Sequence, residues 1–218
     1  MHFIDRSTVP APSCLSNYHH GRNTWESLSV TDRGQIRSSL ETLQGKRCAY
    51  CECELADGNQ HIEHFEQRSR QPQKTFDWSN LFWSCLAHDS CGTHKDSKSI
   101  KNSYNPLDII KPDIDDPEHF FRFHSDGTIT IRPELTDHEK HRASETLRVF
   151  NLDPEHGRLR ARRKAAIAGY VTDACEITEL IETDLEFGTE YLESELAAII
   201  DLPFATAIKH VLSFGATA

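Results

Sequence analysis

Cysteine spacing is the feature that most constrains how this chain can fold. Seven cysteines occur in 218 residues, and five of them fall between Cys48 and Cys91. An odd and clustered set is not how disulfides are spread over a secreted domain, and it favours metal binding in a reducing compartment. Cys48 and Cys51 have the spacing at which two thiolates reach one zinc ion. Because Cys85 and Cys91 supply a second pair, the sequence predicts a structural four-cysteine zinc site.

The second cysteine pair departs from the usual knuckle, since five residues separate its members. A loop insertion over residues 86–90 must be assumed if both thiolates are to reach the same ion. The alternatives are buried free thiols or a redox pair, although the βαβ pattern that a redox motif needs is missing. The remaining cysteines have no partner in this scheme and are predicted to be core residues: Cys14, Cys53 and Cys175.

Composition limits the classes of function. The formal net charge of −10 argues against a protein that binds nucleic acid through its overall charge. Any basic surface must therefore be local or be supplied by a partner protein. No apolar run approaches the roughly 20 residues of a membrane helix, and the N-terminus lacks a signal-peptide pattern. We therefore expect a cytoplasmic protein with no membrane partner.

Periodicity divides the chain into four predicted segments: an N-terminal arm and helix (1–45), a zinc-knuckle core (46–101), a linker and β-hairpin (102–135) and a helical C-terminal region (136–218). The arm has no clear period, and the helix that follows is predicted to begin at an N-cap, Thr31, and to end at Gly45. In the hairpin, alternating apolar residues flank Asp126-Gly127, a dipeptide suited to a tight primed turn.

The C-terminal region is predicted to be helical throughout. Thr136 begins a capping box, and a longer helix starts at Asp153-Pro154 with one apolar face that continues to Ile181. Further helices are predicted around residues 191–200 and 204–212. No Lys or Arg occurs between Asp173 and Asp201 among many acidic residues. This acidic stretch should be solvated or face protein, and it should avoid phosphate.

A cluster of ionisable residues lies between the two cysteine pairs, in the segment His61-Ile-Glu-His-Phe. Its apolar residues favour a strand, so the ionisable groups should sit at the end of a strand anchored by the zinc unit. Phosphodiester hydrolysis needs a general base and a divalent cation. His64 could act as the general base, and Glu63 could bind the divalent cation. Asn80 could brace the loop and hold the histidine ring in its working tautomer.

The order of these motifs resembles the zinc-knuckle form of the HNH (ββα-metal) endonucleases. The resemblance rests on Cys-x2-Cys, then Glu63-His64, then Asn80, then two cysteines and Cys-x3-Lys. It implies that Glu63 is the acidic ligand of a catalytic Mg²⁺ or Mn²⁺, that His64 is the general base and that Asn80 is the middle asparagine. It also implies an α+β fold: a small zinc-stabilised ββα-metal core with an N-terminal helix, a β-hairpin and a mainly helical C-terminal region.

One signature position departs from the HNH pattern. A His or Asn is expected on the short helix after the last cysteine, but Gly92 follows Cys91 directly. His94 is therefore the first candidate for the second ligand of the catalytic ion, with Asp96 and His88 behind it.

Four segments are similar, more narrowly, to the HNH component of Septu and retron anti-phage systems: residues 48–52, 61–65, 77–81 and 150–153. The resemblance implies an effector nuclease that cuts nucleic acid and is held by an ATPase partner, in some systems beside a reverse transcriptase with its multicopy DNA. The acidic C-terminal region and the net charge fit a subunit that docks on a partner. The competing prediction is a non-catalytic zinc-binding adaptor that contacts protein or nucleic acid, in which His64 is incidental.

Several residues keep more than one predicted role. His61 could ligate metal, orient Glu63 or simply be exposed, and Lys95 could contact phosphate or lie solvated on a helix. Three aromatic residues could stack on bases, although such residues more often fill a small core: Trp78, Phe82 and Trp83. The basic cluster at residues 158–164 could follow a nucleic-acid backbone or form a solvated helix face.

Overall fold

The computed structural model of the protein describes residues 1–155 and 157–215. Within these residues the chain forms eight α-helices and two antiparallel pairs of strands. In chain order the elements are α1 (Val30–Gln44), β1 (Gln60–His64), β2 (Leu81–Cys85), α2 (Cys91–Lys95), α3 (Pro117–Phe120), β3 (Phe121–Phe123), β4 (Ile129–Ile131), α4 (Asp137–Phe150), α5 (Arg158–Ala168), α6 (Val171–Thr183), α7 (Leu185–Ile199) and α8 (Ala205–Phe214). The predicted α+β fold class is confirmed.

The N-terminal arm is made of short 3₁₀ turns that pack into the core, burying Ile4, Leu15 and Trp25. Helix α1 begins two residues earlier than predicted. Ser29, not Thr31, is the N-cap, because the Ser29 hydroxyl accepts a hydrogen bond from the Asp32 amide at 3.0 Å. The helix ends as predicted, with Gly45 in the left-handed conformation (φ 59°).

The ββα unit comprises β1, β2 and α2. The two strands are antiparallel, with Gln60 opposite Cys85 and His64 opposite Leu81. The Cys48–Cys53 turn lies against this pair, because the amide of Ala49 donates to the carbonyl of Trp83 at 3.0 Å. The hairpin thereby holds the knuckle at one end of the sheet, next to the start of α2.

The buried aromatic residues of the unit belong to the core. Phe82 and Trp83 are buried, which supports core packing over base stacking for these two, and Tyr50 stacks on Phe150 with ring centroids 4.1 Å apart. Cys14 and Cys53 are buried as predicted, but Cys175 is exposed. That prediction was wrong because α6 turns Ala174 and Ile177 inward, which leaves the position between them facing outward.

The second hairpin joins β3 and β4 through a wider turn than predicted. The amide of Gly127 donates to the carbonyl of His124 at 2.9 Å, and His124 pairs with Thr128. Gly127 has a positive φ of 86°, whereas Asp126 does not have a positive φ. A primed two-residue turn needs positive φ at both central residues, so this is a three-residue loop ending in a left-handed glycine.

The C-terminal half is helical, as predicted, but it is divided differently. The Thr136 capping box is present at the start of α4. The single long helix predicted from Asp153-Pro154 is two helices, since the chain breaks at Gly169 and Tyr170 between α5 and α6. The apolar stripe continues across the break because both helices face the same core, and glycine is a poor helix former. Helices α7 and α8 cover the other predicted helical segments. None of the helices in the described part of the chain is long and apolar enough to cross a membrane.

Candidate active site and zinc centre

The four cysteines of the two predicted pairs converge. The Sγ atoms of Cys48, Cys51, Cys85 and Cys91 all lie within 4.8 Å of one another, and all four residues are buried and free of disulfides. Cys51 Sγ is 3.9 Å from Cys85 Sγ. Tetrahedral thiolates about 2.3 Å from zinc are about 3.8 Å apart, so the cluster has the dimensions of a zinc site. Across residues 1–155 and 157–215, no other group of three or more His, Cys, Asp or Glu residues could hold a metal ion.

Local backbone geometry brings these thiols together. Cys51 precedes a left-handed residue, Glu52 (φ 62°), and Cys91 itself is left-handed (φ 57°), so the chain turns sharply at both places. The amide of Cys85 donates to Cys48 Sγ at 3.4 Å. Burial alone would raise the pKa of the Cys48 thiol, but hydrogen bonds from neighbouring cysteine thiols outweigh it and lower that pKa. Hydrogen bonding with the other thiols raises the pKa of Cys51, and burial raises that of Cys91, so Cys48 is held as thiolate, the form that binds zinc, ahead of these two. Residues 86–90 form the loop whose insertion the spacing required.

His64 is the last residue of β1, and its ring is fixed on two sides. Its Nε2 atom lies 3.0 Å from the carbonyl oxygen of Thr75, and the Trp25 ring meets it edge-on with centroids 4.5 Å apart. Because a carbonyl oxygen only accepts, Nε2 carries the proton and Nδ1 is the acceptor nitrogen. Nδ1 makes no hydrogen bond within the described residues, and it is not among the fully buried polar atoms that lack a partner, so it reaches solvent.

The charge state of His64 follows from its surroundings. Burial lowers the pKa of His64 to about 4, although the Thr75 hydrogen bond and the charge of Glu63 act in the opposite direction. The imidazole is consequently neutral at neutral pH. A neutral imidazole with a free Nδ1 can accept a proton.

Glu63 is buried between an ammonium group and an imidazole. Lys95 Nζ lies 2.7 Å from Oε1, and His61 Nε2 lies 3.1 Å from Oε2. Burial would raise the pKa of Glu63, but the Lys95 charge and the His61 hydrogen bond outweigh it and lower that pKa. Glu63 is therefore a buried carboxylate that stays ionised. Carboxylate oxygens are ligands that a hard divalent ion prefers, so the donor chemistry of Glu63 fits such an ion.

Lys95 lies in neither of the two settings predicted for it. Its side chain is fully buried, and Nζ donates to the carbonyl oxygen of His64 at 3.0 Å and to Oδ1 of Asp96 at 2.7 Å. It therefore neither faces solvent nor is available to a phosphate. The sequence signal was its position four residues after Cys91, which places it one helical turn further along α2 and on the same face.

Asn80 braces the loop between β1 and β2. Its side-chain nitrogen donates to the carbonyls of Glu66 (3.0 Å) and Lys74 (3.1 Å), and its oxygen accepts from the Glu66 amide (2.8 Å). The amide contacts backbone, however, and not the histidine ring. The tautomer of His64 is set by the Thr75 carbonyl, a backbone acceptor that leaves no side-chain signal in the sequence.

The three candidates for a second catalytic-metal ligand point in different directions. His94 Nδ1 lies 2.9 Å from the carbonyl oxygen of Val149 on α4, Asp96 binds Lys95, and His88 is exposed on the 86–90 loop. The identity of the second ligand stays a prediction.

No family model matches the chain. The chain is 27% identical over 146 residues to a retron Vc95 protein of Vibrio cholerae serotype O1 biovar El Tor that is named as an HNH endonuclease; the alignment covers 64% of this chain and 67% of that protein. It is 29% identical over 97 residues to the Septu protein PtuB of Bacillus thuringiensis, over 43% of this chain and 35% of PtuB. With the ββα unit and the cysteine cluster, these likenesses support an HNH-type endonuclease that resembles the Septu and retron defence proteins, as the sequence motifs predict.

Proposed function

We propose that this protein is a metal-dependent HNH endonuclease that hydrolyses phosphodiester bonds of nucleic acid. The observation that carries the proposal is the His64 ring. Its Nε2 atom is fixed by the Thr75 carbonyl, its Nδ1 atom is free, and an ionised Glu63 precedes it on the strand that the cysteine cluster anchors. A neutral, oriented imidazole beside a buried carboxylate suits water activation next to a divalent ion.

In the proposed reaction, His64 Nδ1 accepts a proton from the water whose oxygen attacks phosphorus. Glu63, with a second ligand, would hold Mg²⁺ or Mn²⁺, which when bound neutralises charge on a non-bridging oxygen and on the leaving oxygen. Lys95 holds the His64 carbonyl and so fixes the end of β1. The four thiolates would hold zinc, whose role is structural: it keeps β1, β2 and α2 in register.

His64→Ala tests the proposal. Removing a general base should lower divalent-dependent cleavage by about 10²- to 10⁴-fold, because water must then be activated by solvent alone. Plasmid DNA, single-stranded DNA and RNA would each be offered to the zinc-loaded chain with Mg²⁺ or Mn²⁺. The matched control is His138→Ala, which removes an exposed histidine and should leave cleavage unchanged. Equal zinc content with undiminished cleavage by His64→Ala would contradict the proposal.

A local basic surface supports a nucleic-acid substrate despite the negative net charge. Arg158 and Arg162 are exposed and line a cleft of about 510 Å³ whose floor includes Cys51 and Cys85. Arg160, between these two in the sequence, is not available to phosphate, because it forms an ion pair with Asp153. Within the described residues neither guanidinium group of Arg158 and Arg162 has an acidic partner, and Arg162 lies 5.7 Å from the centroid of the Phe204 ring, so both groups are suited to phosphate oxygens.

We further propose that the nuclease is the effector of an anti-phage defence complex of the Septu or retron type, with an ATPase partner and, in a retron, a reverse transcriptase with its multicopy DNA. The likeness to the two defence proteins and the acidic α6–α7 surface support this. Leu185, Phe187 and Ile200 are more than half exposed on or beside α7 and would suit a protein contact. Purification of the tagged chain from its own host should recover an ATPase; recovery of the chain alone would contradict this part of the proposal.

A non-catalytic zinc-binding adaptor is the second candidate. One observation favours it: Glu63 already lies between Lys95 and His61, so its charge is compensated without a metal ion. The adaptor predicts zinc binding with no cleavage of any nucleic acid, whereas the nuclease predicts cleavage that depends on His64.

A further inference from the structure

The position that follows the last cysteine faces the carboxylate of Glu63. A Cβ atom built on Gly92 would lie 2.6 Å from both Cδ and Oε2 of Glu63, closer than any real contact. The Glu63 carboxyl group therefore fills the space in which a side chain at position 92 would lie. A ligand contributed from the start of α2 is accordingly not available to an ion bound at Glu63.

His94 is held by a different part of the fold. Its Nδ1 atom is 2.9 Å from the Val149 carbonyl oxygen, so this nitrogen is hydrogen-bonded to the C-terminal end of α4. Among the described residues, His94 forms no hydrogen bond or ion pair with Glu63, whereas His61 does.

His61 lies on the same face of β1 as Glu63, because the two residues are separated by one position in a strand. Its Nε2 atom is 3.1 Å from Glu63 Oε2, and 28% of its side chain is exposed. Adjacent ligands of an octahedral ion at about 2.1 Å lie about 3.0 Å apart. The hydrogen-bonded imidazole and carboxylate therefore have the spacing of two neighbouring ligands once Nε2 gives up its proton, and His61 is the partly exposed member of the pair, since the Glu63 side chain is 3% exposed. The other ring nitrogen, Nδ1, is enclosed without a partner, so Nε2 is the nitrogen that is oriented toward the carboxylate.

We infer that His61 and Glu63 together are the protein ligands of the catalytic divalent ion, and that His61 takes the place that Gly92 leaves empty. The inference rests on the proposed function. Oε1 of Glu63 faces the Lys95 ammonium, so Glu63 supplies one oxygen, Oε2. A site with one imidazole nitrogen and one carboxylate oxygen selects Mn²⁺ over Mg²⁺, because Mg²⁺ prefers oxygen ligands alone. The protein should therefore bind Mn²⁺ more tightly than Mg²⁺.

Electron paramagnetic resonance with Mn²⁺ as the probe tests the inference without relying on cleavage. Mn²⁺ added to the full-length, zinc-loaded chain should show electron spin-echo modulation from a directly bound ¹⁴N nucleus. His61→Asn should abolish the modulation and weaken Mn²⁺ binding by about tenfold or more. His94→Asn, the matched control, should keep both the modulation and the affinity. Zinc content and near-ultraviolet circular dichroism establish that each variant is folded.

Two results would overturn the inference: wild-type protein whose bound Mn²⁺ shows no nitrogen coupling, or coupling that survives His61→Asn and disappears in His94→Asn. The wild-type spectrum decides the first even if His61→Asn does not fold. Failure of the inference is distinguishable from failure of the proposed function. If the protein cleaves nucleic acid but its Mn²⁺ binding does not change in His61→Asn, the inference is overturned and the proposed function is not. Mn²⁺ bound through His61 without any cleavage would support the inference and contradict the nuclease.

Discussion

Lys95 is the residue whose burial most constrains the site. A fully buried ammonium group is costly unless it is paired, and here Glu63, Asp96 and the carbonyl of His64 surround it. The Lys95 contacts hold the side chain of one proposed catalytic residue and the backbone of the next. A single cation on α2 therefore positions the end of β1.

Lys95→Met should lower the free energy of unfolding by about 3–5 kcal/mol, because it leaves the Glu63 carboxylate buried without its cation. Denaturant unfolding of the zinc-loaded protein measures the change. In the double variant Lys95→Met/Glu63→Gln the loss should be smaller than the sum of the two single losses, since position 63 then carries no buried unpaired charge and Asp96 is partly exposed. Lys98→Met, at an exposed lysine on the same stretch, should change stability by no more than about 0.5 kcal/mol. Additive losses in the double variant would contradict the pairing.

At the residue level, the sequence could predict what depends on residue type and spacing. Zinc chemistry needs thiolates in pairs, so the four cysteines were identifiable, and the adjacent Glu63-His64 was identifiable from the motif. The setting of Lys95 was not, because its partners come from β1, 31 residues away in the case of His64. The Thr75 carbonyl was not identifiable either, since any residue type supplies a carbonyl.

At the level of elements, the loop between β1 and β2 carries the acceptor that orients His64. Residues 65–80 contain no strand, and Asn80 joins the two ends of the loop through its hydrogen bonds to Glu66 and Lys74. The loop should therefore open locally if the Asn80 amide is removed, and the Thr75 carbonyl should then lose its fixed position against the histidine ring.

Asn80→Ala should destabilise the loop by about 1–3 kcal/mol, because it leaves the Glu66 amide and two carbonyls without their partners. Native-state hydrogen exchange of the Glu66 amide measures this, and that amide should exchange at least about tenfold faster than in the wild type. Ser79→Ala, at an exposed neighbour, is the control and should leave the exchange rate unchanged. Unchanged protection in Asn80→Ala would show that the loop is held by other contacts.

Elements whose ends are encoded locally were predictable. The Thr136 capping box and the Gly45 cap involve residues no more than a few positions apart, and both are present. The break between α5 and α6 was not predictable from periodicity, because the apolar stripe runs through it. Hairpin turn geometry depends on the backbone angles of two residues, and the dipeptide Asp126-Gly127 is compatible with more than one turn.

At the scale of the whole molecule, charge is distributed unevenly. The net charge is −10, yet Arg158 and Arg162 form a basic cleft beside the cysteine cluster, while the acidic α6–α7 surface lies elsewhere in sequence. If nucleic acid binds at this cleft, binding should depend on salt through these few phosphate contacts and not through the overall charge.

Arg158→Ala/Arg162→Ala should weaken nucleic-acid binding and reduce the slope of log K against log salt by about 1.4–1.8, because two phosphate contacts are lost. Fluorescence anisotropy at several salt concentrations measures both quantities. Arg22→Ala/Arg37→Ala removes the same charge from exposed positions elsewhere and should leave the slope unchanged. Equal slopes for the two double variants would place the binding surface outside this cleft.

Long-range packing was the least predictable part of the fold. The start of α8 bonds to the knuckle: the Phe204 amide donates to the Glu52 carbonyl and the Thr206 amide to Glu52 Oε2, each at 3.0 Å. No local pattern encodes a contact between residues 154 positions apart. Convergence of the cysteines spans a shorter distance and was predictable because one ion requires four ligands.

The central claim is that four thiolates from two segments hold one zinc ion, which positions His64 and Glu63 for catalysis. X-ray absorption at the zinc edge of the purified chain tests it most directly. We predict one zinc per chain with four sulfur ligands at about 2.3 Å and no nitrogen or oxygen in the first shell. Zinc bound through fewer than four sulfurs, or a chain that folds and cleaves nucleic acid with no zinc, would contradict the account.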